Sequence, residues 1–155
     1  MQYTLAIAVE GGGVVQLNQA TDYAFRVVLY LSGIPFGQVA RGIVIAERQN
    51  IPPRFLQKIM RMLAASGLVK SYRGVVGGFA LAKRPEEITL YDVIVAVEGP
   101  LGIHRCLADR SICNRHCEHE CPVHQALAVI QDNLAANLSS VTFADMAQTK
   151  KYSGR

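Results

Sequence analysis

Residues 43–69 read IVIAERQNIPPRFLQKIMRMLAASGLV. The stretch divides into two helices at Asn50 and the pair Pro52–Pro53. A short first helix is expected over 43–49. Asn50 suits the tight turn that follows, because Asn adopts the left-handed conformation more readily than any residue but Gly. Pro is well placed in the first turn of a helix, where a backbone N–H has no intrahelical partner anyway. The second helix is therefore expected from Pro53 to about Ser66, with Gly67 as its stop. Its apolar stripe is Phe55, Leu56, Ile59, Met60 and Leu63. Arg54, Gln57, Lys58 and Arg61 lie mainly on the other side. Two helices joined by a tight turn make a helix-turn-helix.

The flanks extend this unit. Residues 68–83, LVKSYRGVVGGFALAK, read as a β-hairpin with strands over 68–72 and 79–82 and a turn supplied by Gly74, Gly77 and Gly78. A helix-turn-helix followed by a hairpin is a winged helix. Upstream, Asn18 is an N-cap for a helix with Ala20, Tyr23, Ala24, Val27, Val28 and Leu31 on one face. Gly33 and Pro35 end it. Downstream, Thr89 and Asp92 form a capping box that opens a short helix stopping near Gly99.

Pro122 starts a long helix with Val123, Leu127, Ile130, Leu134 and Leu138 on one side. Ala126, Val129, Asn133 and Ala136 form a second strip. So much apolar face outside a compact domain calls for a partner helix. A second copy of the chain is the expected partner, and packing on the chain's own domain is the alternative. The fold class is thus mainly α: a winged helix-turn-helix with a small β-hairpin wing and a long C-terminal dimerisation helix. The expected divisions are an N-terminal extension (1–15), the DNA-binding domain (16–99), a cysteine loop (100–121), the dimerisation region (122–147) and a flexible tail (148–155). The extension is expected to be flexible or to reflect an upstream start codon, with Val14 or Val15 as alternative initiators.

Charge points to the partner. The chain carries a net +4, but residues 15–90 hold ten Lys/Arg against four Asp/Glu, whereas 91–155 hold six against seven. A basic first half suits a polyanion. An α-helix fits the major groove of B-DNA, where Arg and Lys match guanine acceptors and Gln matches adenine. Arg54, Gln57 and Lys58 are expected at base edges and Arg61 at phosphate. Arg73, before Gly74 in the wing, is expected in a narrow minor groove. No apolar run is long enough to span a bilayer, and no secretory signal opens the chain. A cytoplasmic protein without membrane association is expected.

All four cysteines (Cys106, Cys113, Cys117, Cys121) and all four histidines (His104, His116, His119, His124) fall between 104 and 124. Without a secretory signal, such a cluster reads as metal binding rather than disulfides. The spacing C-x6-C-x3-C-x3-C, followed by His124, suits an iron–sulfur cluster or zinc about equally. Cys121 precedes Pro122 at the foot of the long helix, where the helix dipole favours a thiolate and an anionic cluster. An enzyme or electron carrier is the weaker reading, since there is no C-x-x-C, glycine-rich nucleotide fingerprint or acid/base constellation.

Four stretches together resemble the IscR/NsrR-type winged-helix regulators: LNQATDYAFR, IAERQNIPPRFLQKIMRMLAASGLV, SYRGVVGGFALAK and ITLYDVIVAVEG leading into the cysteines. The resemblance runs from about Gln16 to Ala147. It implies a homodimeric transcription regulator, repressor or activator, that binds an operator in double-stranded DNA and carries a 2Fe–2S or 4Fe–4S cluster sensing iron, nitric oxide or redox state. The usual ligand set is three cysteines, matched by Cys106, Cys113 and Cys121, plus one other residue. Asp22 matches the aspartate that nitric-oxide-sensing members supply from the other subunit. His124 matches the histidine of cluster-biogenesis members. Two departures stand out. Cys117 is an additional cysteine that makes an all-cysteine set possible, and the wing turn RGVVGG is less rich in Gly and Pro than is usual. A zinc-stabilised or cluster-free winged-helix regulator is the alternative.

Overall fold

A computed structural model of the protein describes residues 17–75, 77–109, 111, 113 and 121–148. The expected extension 1–15, Cys117 and the tail beyond Gln148 lie outside the described residues.

Helix α1 (Gln19–Ser32) starts where Asn18 Oδ1 accepts the Thr21 N–H at 3.0 Å. It buries Ala24, Val27, Val28 and Leu31. Helix α2 (Gly42–Gln49) ends at Asn50, whose φ of 51° is the left-handed turn expected of it. Helix α3 (Pro53–Ala65) stops at Gly67, φ 74°, with the Leu68 N–H folding back to Leu63 O at 2.9 Å.

Four members of the predicted α3 stripe are buried: Leu56, Ile59, Met60 and Leu63. Phe55 is not. It stands about 100° round the helix from Leu56, is 49% exposed, and meets Tyr23 of α1 edge-on with ring centroids 6.2 Å apart.

Strands β1 (Val69–Tyr72) and β2 (Gly78–Leu81) pair antiparallel, with Val69 opposite Leu81 and Tyr72 opposite Gly78. Ala40 adds a bridge to Phe79 through two backbone bonds of 2.9 and 2.8 Å. That close approach requires the glycine at 78, where a Cβ would overlap the Ala40 carbonyl. A single 3-10 turn (Pro85–Glu87) leads to helix α4 (Leu90–Glu98), opened by the expected Thr89–Asp92 capping box.

The last third carries two short helices that the sequence reading does not anticipate. One, α5 (Arg105–Ala108), forms inside the cysteine loop. The expected long helix is α6 (Pro122–Ser139), which ends at Ser140, and the second short helix, α7 (Phe143–Gln148), then packs back on α1. Thr142 and Asp145 repeat the capping-box chemistry, with reciprocal bonds of 3.2 and 3.3 Å. Phe143 then enters the winged domain at 1% exposure beside Phe25, and its N–H donates to Ile88 O at 2.9 Å. It joins one core with Val27, Val28, Ile45, Leu56, Ile59, Leu63 and Val93. α6 itself contains no buried residue.

Candidate nucleic-acid interface and cysteine site

The interface begins with the side of α3 turned from the core. Arg54, Gln57, Lys58 and Arg61 are all exposed, and with Pro52, Pro53 and Phe55 they line one shallow depression. Arg61 donates from Nε to Gln57 O at 3.3 Å, which lays its guanidinium back along the helix. Arg73 is exposed just after β1, next to Gly74 at φ 106°. Lys70, on the exposed side of β1, adds a charge that the sequence reading did not single out. The structure thus presents all five predicted DNA-binding residues to solvent, on the helix and hairpin expected to carry them.

The cysteine site is built at the junction of α5 and α6. His104 is the N-cap of α5: its Nδ1 accepts the Cys106 N–H at 3.3 Å and lies 3.1 Å from Cys106 Sγ. On the other side, His124 Nδ1 lies 3.4 Å from the same sulfur, joining residues 18 apart in sequence. The Ile103 N–H donates to Gln131 Oε1 of α6 at 3.2 Å, which fastens the loop entry to the long helix. Cys121 is the N-cap of α6 without a side-chain capping bond, so its sulfur sits half-buried at the positive end of an 18-residue helix. Cys113 is half-buried as well. Asp109 accepts from Ser111 Oγ at 2.7 Å and Ser111 N at 2.9 Å, bonds that hold its carboxyl below the ordinary range.

Of the predicted ligands, the structure brings Cys106 and His124 together. Among the described residues, no three His, Cys, Asp or Glu side chains stand in an arrangement that holds a single metal ion. The donors are nevertheless of one kind, thiols and imidazoles, which suits soft thiophilic metals and iron–sulfur clusters. Asp22 lies elsewhere. It is exposed and paired with Arg26 at 2.6 Å on its own helix, in a depression lined by Phe25, Arg48, Leu90 and Met146 and by no described residue of the cysteine loop.

Two features escaped the sequence reading. His104 was counted among the histidines but not as a neighbour of Cys106; its signal is the H-x-C spacing at a helix start. Glu98 ends α4, where a carboxylate faces the negative end of the helix dipole. Its Oε1 accepts the Asn18 N–H at 3.0 Å and the hydroxyl of Thr21 at 2.5 Å. Thr21 is fully buried. This clasp joins the start of α1 to the point where the chain enters the cysteine loop. Among the described residues, no helix is long and apolar enough to cross a membrane.

The family model described as Rrf2, iron-dependent transcriptional regulator, matches residues 17–149. A putative HTH-type transcriptional regulator, YffB, of Lactococcus lactis is 30% identical over 141 residues, covering 89% of this chain and 90% of that protein. The structure of CymR, the global cysteine regulator of B. subtilis, superposes with a TM-score of 0.69 at 27% identity, over 86% of this chain and 97% of CymR. That of T. potens IscR superposes with a TM-score of 0.68 at 25% identity, over 91% and 92% of the two chains.

Proposed function

The chain belongs to the Rrf2 family of iron-dependent transcriptional regulators, and on that basis we propose that it is a homodimer whose grip on operator DNA is set by an iron–sulfur cluster held by Cys106, Cys113, Cys121 and His124. The observation that carries this reading is the 3.4 Å contact between Cys106 Sγ and His124 Nδ1 at the foot of α6. It favours His124 over Asp22 as the fourth ligand, because Asp22 is already engaged by Arg26. When bound, such a cluster supplies an inorganic centre sensitive to iron supply, oxidants and nitric oxide.

The protein's own residues supply the rest. Arg54, Gln57 and Lys58 read base edges from the major groove, Arg61 neutralises phosphate, and Arg73 enters the minor groove. Two copies present two such heads to the half-sites of a roughly palindromic operator. The partner copy covers α6, whose Val123, Val129 and Ile130 are 66%, 60% and 54% exposed in the single chain. To regulate, the ligand set must favour one placement of the two heads over another.

Anaerobic native mass spectrometry, paired with iron and sulfide analysis, tests the proposal. The expected species is a dimer carrying iron and acid-labile sulfide. A colourless protein with stoichiometric zinc, or DNA affinity unchanged when Cys106, Cys113 and Cys121 are all replaced by Ala, would overturn the sensing role and leave a plain DNA binder.

A further inference from the structure

Phe55 has no role in the core and none in the ligand set, yet it is the large apolar side chain on the exposed part of α3. It occupies the first turn of the helix, one residue after Arg54 and two before Gln57. Half its surface meets solvent, within the same depression as Arg54, Lys58 and Arg61. The exposed half of this ring, among three cations, adds nothing to the buried face of the helix, which consists of Leu56, Ile59, Met60 and Leu63.

The ring is also held in place. Its edge-on contact with Tyr23 is 6.2 Å between centroids. Tyr23 is itself fixed from two sides, by Gln19 Nε2 at 3.1 Å from its hydroxyl and by the Arg26 guanidinium 5.5 Å over its ring. A positioned apolar edge costs little entropy on binding, in contrast to a mobile one.

The occupant follows from the chemistry around the ring. The flanking guanidinium and ammonium groups select a polyanion, and the first turn of a recognition helix is the part that reaches base edges. The apolar feature that B-DNA shows in its major groove is the C5-methyl group of thymine. We propose that Phe55 is a specificity-determining residue that packs against a thymine methyl in each half-site, adding apolar readout to the polar readout of Arg54, Gln57 and Lys58. This inference rests on the DNA-reading role assigned to α3 above.

The test removes the methyl rather than the base. Duplexes are first enriched from a random-sequence duplex library by the full-length dimer, and each thymine of the enriched half-site is then replaced by deoxyuridine. One such replacement is expected to weaken wild-type binding about fourfold per half-site, the value of one buried carbon. Phe55→Ala is expected to bind the thymine and uracil duplexes equally. Phe55→Leu keeps an apolar side chain and serves if the alanine variant fails to fold; it is expected to lose most of the discrimination. If the wild type is indifferent at every thymine, or if the variants discriminate as strongly as the wild type, Phe55 does not read a methyl. Failure to enrich any duplex would instead remove the DNA-reading role, and this inference with it.

Discussion

Replacing Phe143 by Ala tests whether α7 belongs to the winged domain or, with the rest of 122–147, to a dimerisation region. In the structure, Phe143 is 1% exposed, lies 6.3 Å from the Phe25 ring and belongs to the same core as Val27, Ile59 and Leu63. Truncating a fully buried Phe removes its transfer free energy and leaves a cavity, together about 3–5 kcal/mol. Domains have about 5–15 kcal/mol in all, so the variant should remain folded at room temperature while its Tm falls on the order of 10 °C. The assay is urea unfolding of the cluster-free protein in reductant, followed by far-UV circular dichroism at two protein concentrations. The loss should be nearly the same at both, because the contact lies within one chain. A loss below about 1 kcal/mol, or one that grows steeply on dilution, would mean that residue 143 serves the dimer contact and not the winged domain, and the packing described for α7 would be wrong.

Other perturbations address the remaining parts. Arg73→Ala should weaken operator binding and flatten the dependence of log affinity on log salt by about one per wing, read by fluorescence anisotropy across a salt series; an unchanged slope removes the wing contact. His124→Ala should alter the absorbance and paramagnetic spectrum of the anaerobically purified protein, whereas Asp22→Ala should leave both intact; the reverse pattern would transfer the fourth ligand to Asp22, and no change in either to Cys117. Glu98→Ala leaves the buried Thr21 hydroxyl only a long 3.4 Å contact with Asn18 Oδ1, and should cost about 1–3 kcal/mol in urea unfolding. Glu98→Gln keeps an acceptor and should cost less; equal losses would show that charge, rather than the hydrogen bonds, holds the clasp.

The winged domain was legible because its signals are local. Asn18, the Thr89–Asp92 pair, Asn50, Pro53 and Gly67 each satisfy or end a helix through neighbouring backbone groups, and a single sequence displays them. Phe55 was misread because residue type was allowed to outweigh angular position: an aromatic beside Leu56 looks like core until the α1 contact is known. α7 was missed for a related reason. Apolar residues recur on both sides of Ser139 and Ser140, and the cue to a new helix lay in Thr142 and Asp145, the same pair of residue types at the same spacing as Thr89 and Asp92. The Cys106–His124 contact depends on how α5 packs on α6, and spacing along the chain does not encode that.

The two ends of α6 explain why a site at one of them could affect DNA at all. An 18-residue helix is about 27 Å long, and α6 rests half-buried on α4 and α5 without a fully buried residue of its own. Here its C-terminal end is fixed: Leu90 N–H donates to Val141 O at 3.1 Å, Thr142 bridges Thr89, and Phe143 sits in the core. Its N-terminal end carries Cys121 and His124 and meets the loop that leaves α4 at Glu98, the residue clasped to the start of α1. A strut held most firmly at one end turns a small displacement at the other into a change of angle. In the dimer proposed above, with α6 as the surface shared between copies, that angle would set the separation of the two recognition helices, on which a two-half-site operator depends.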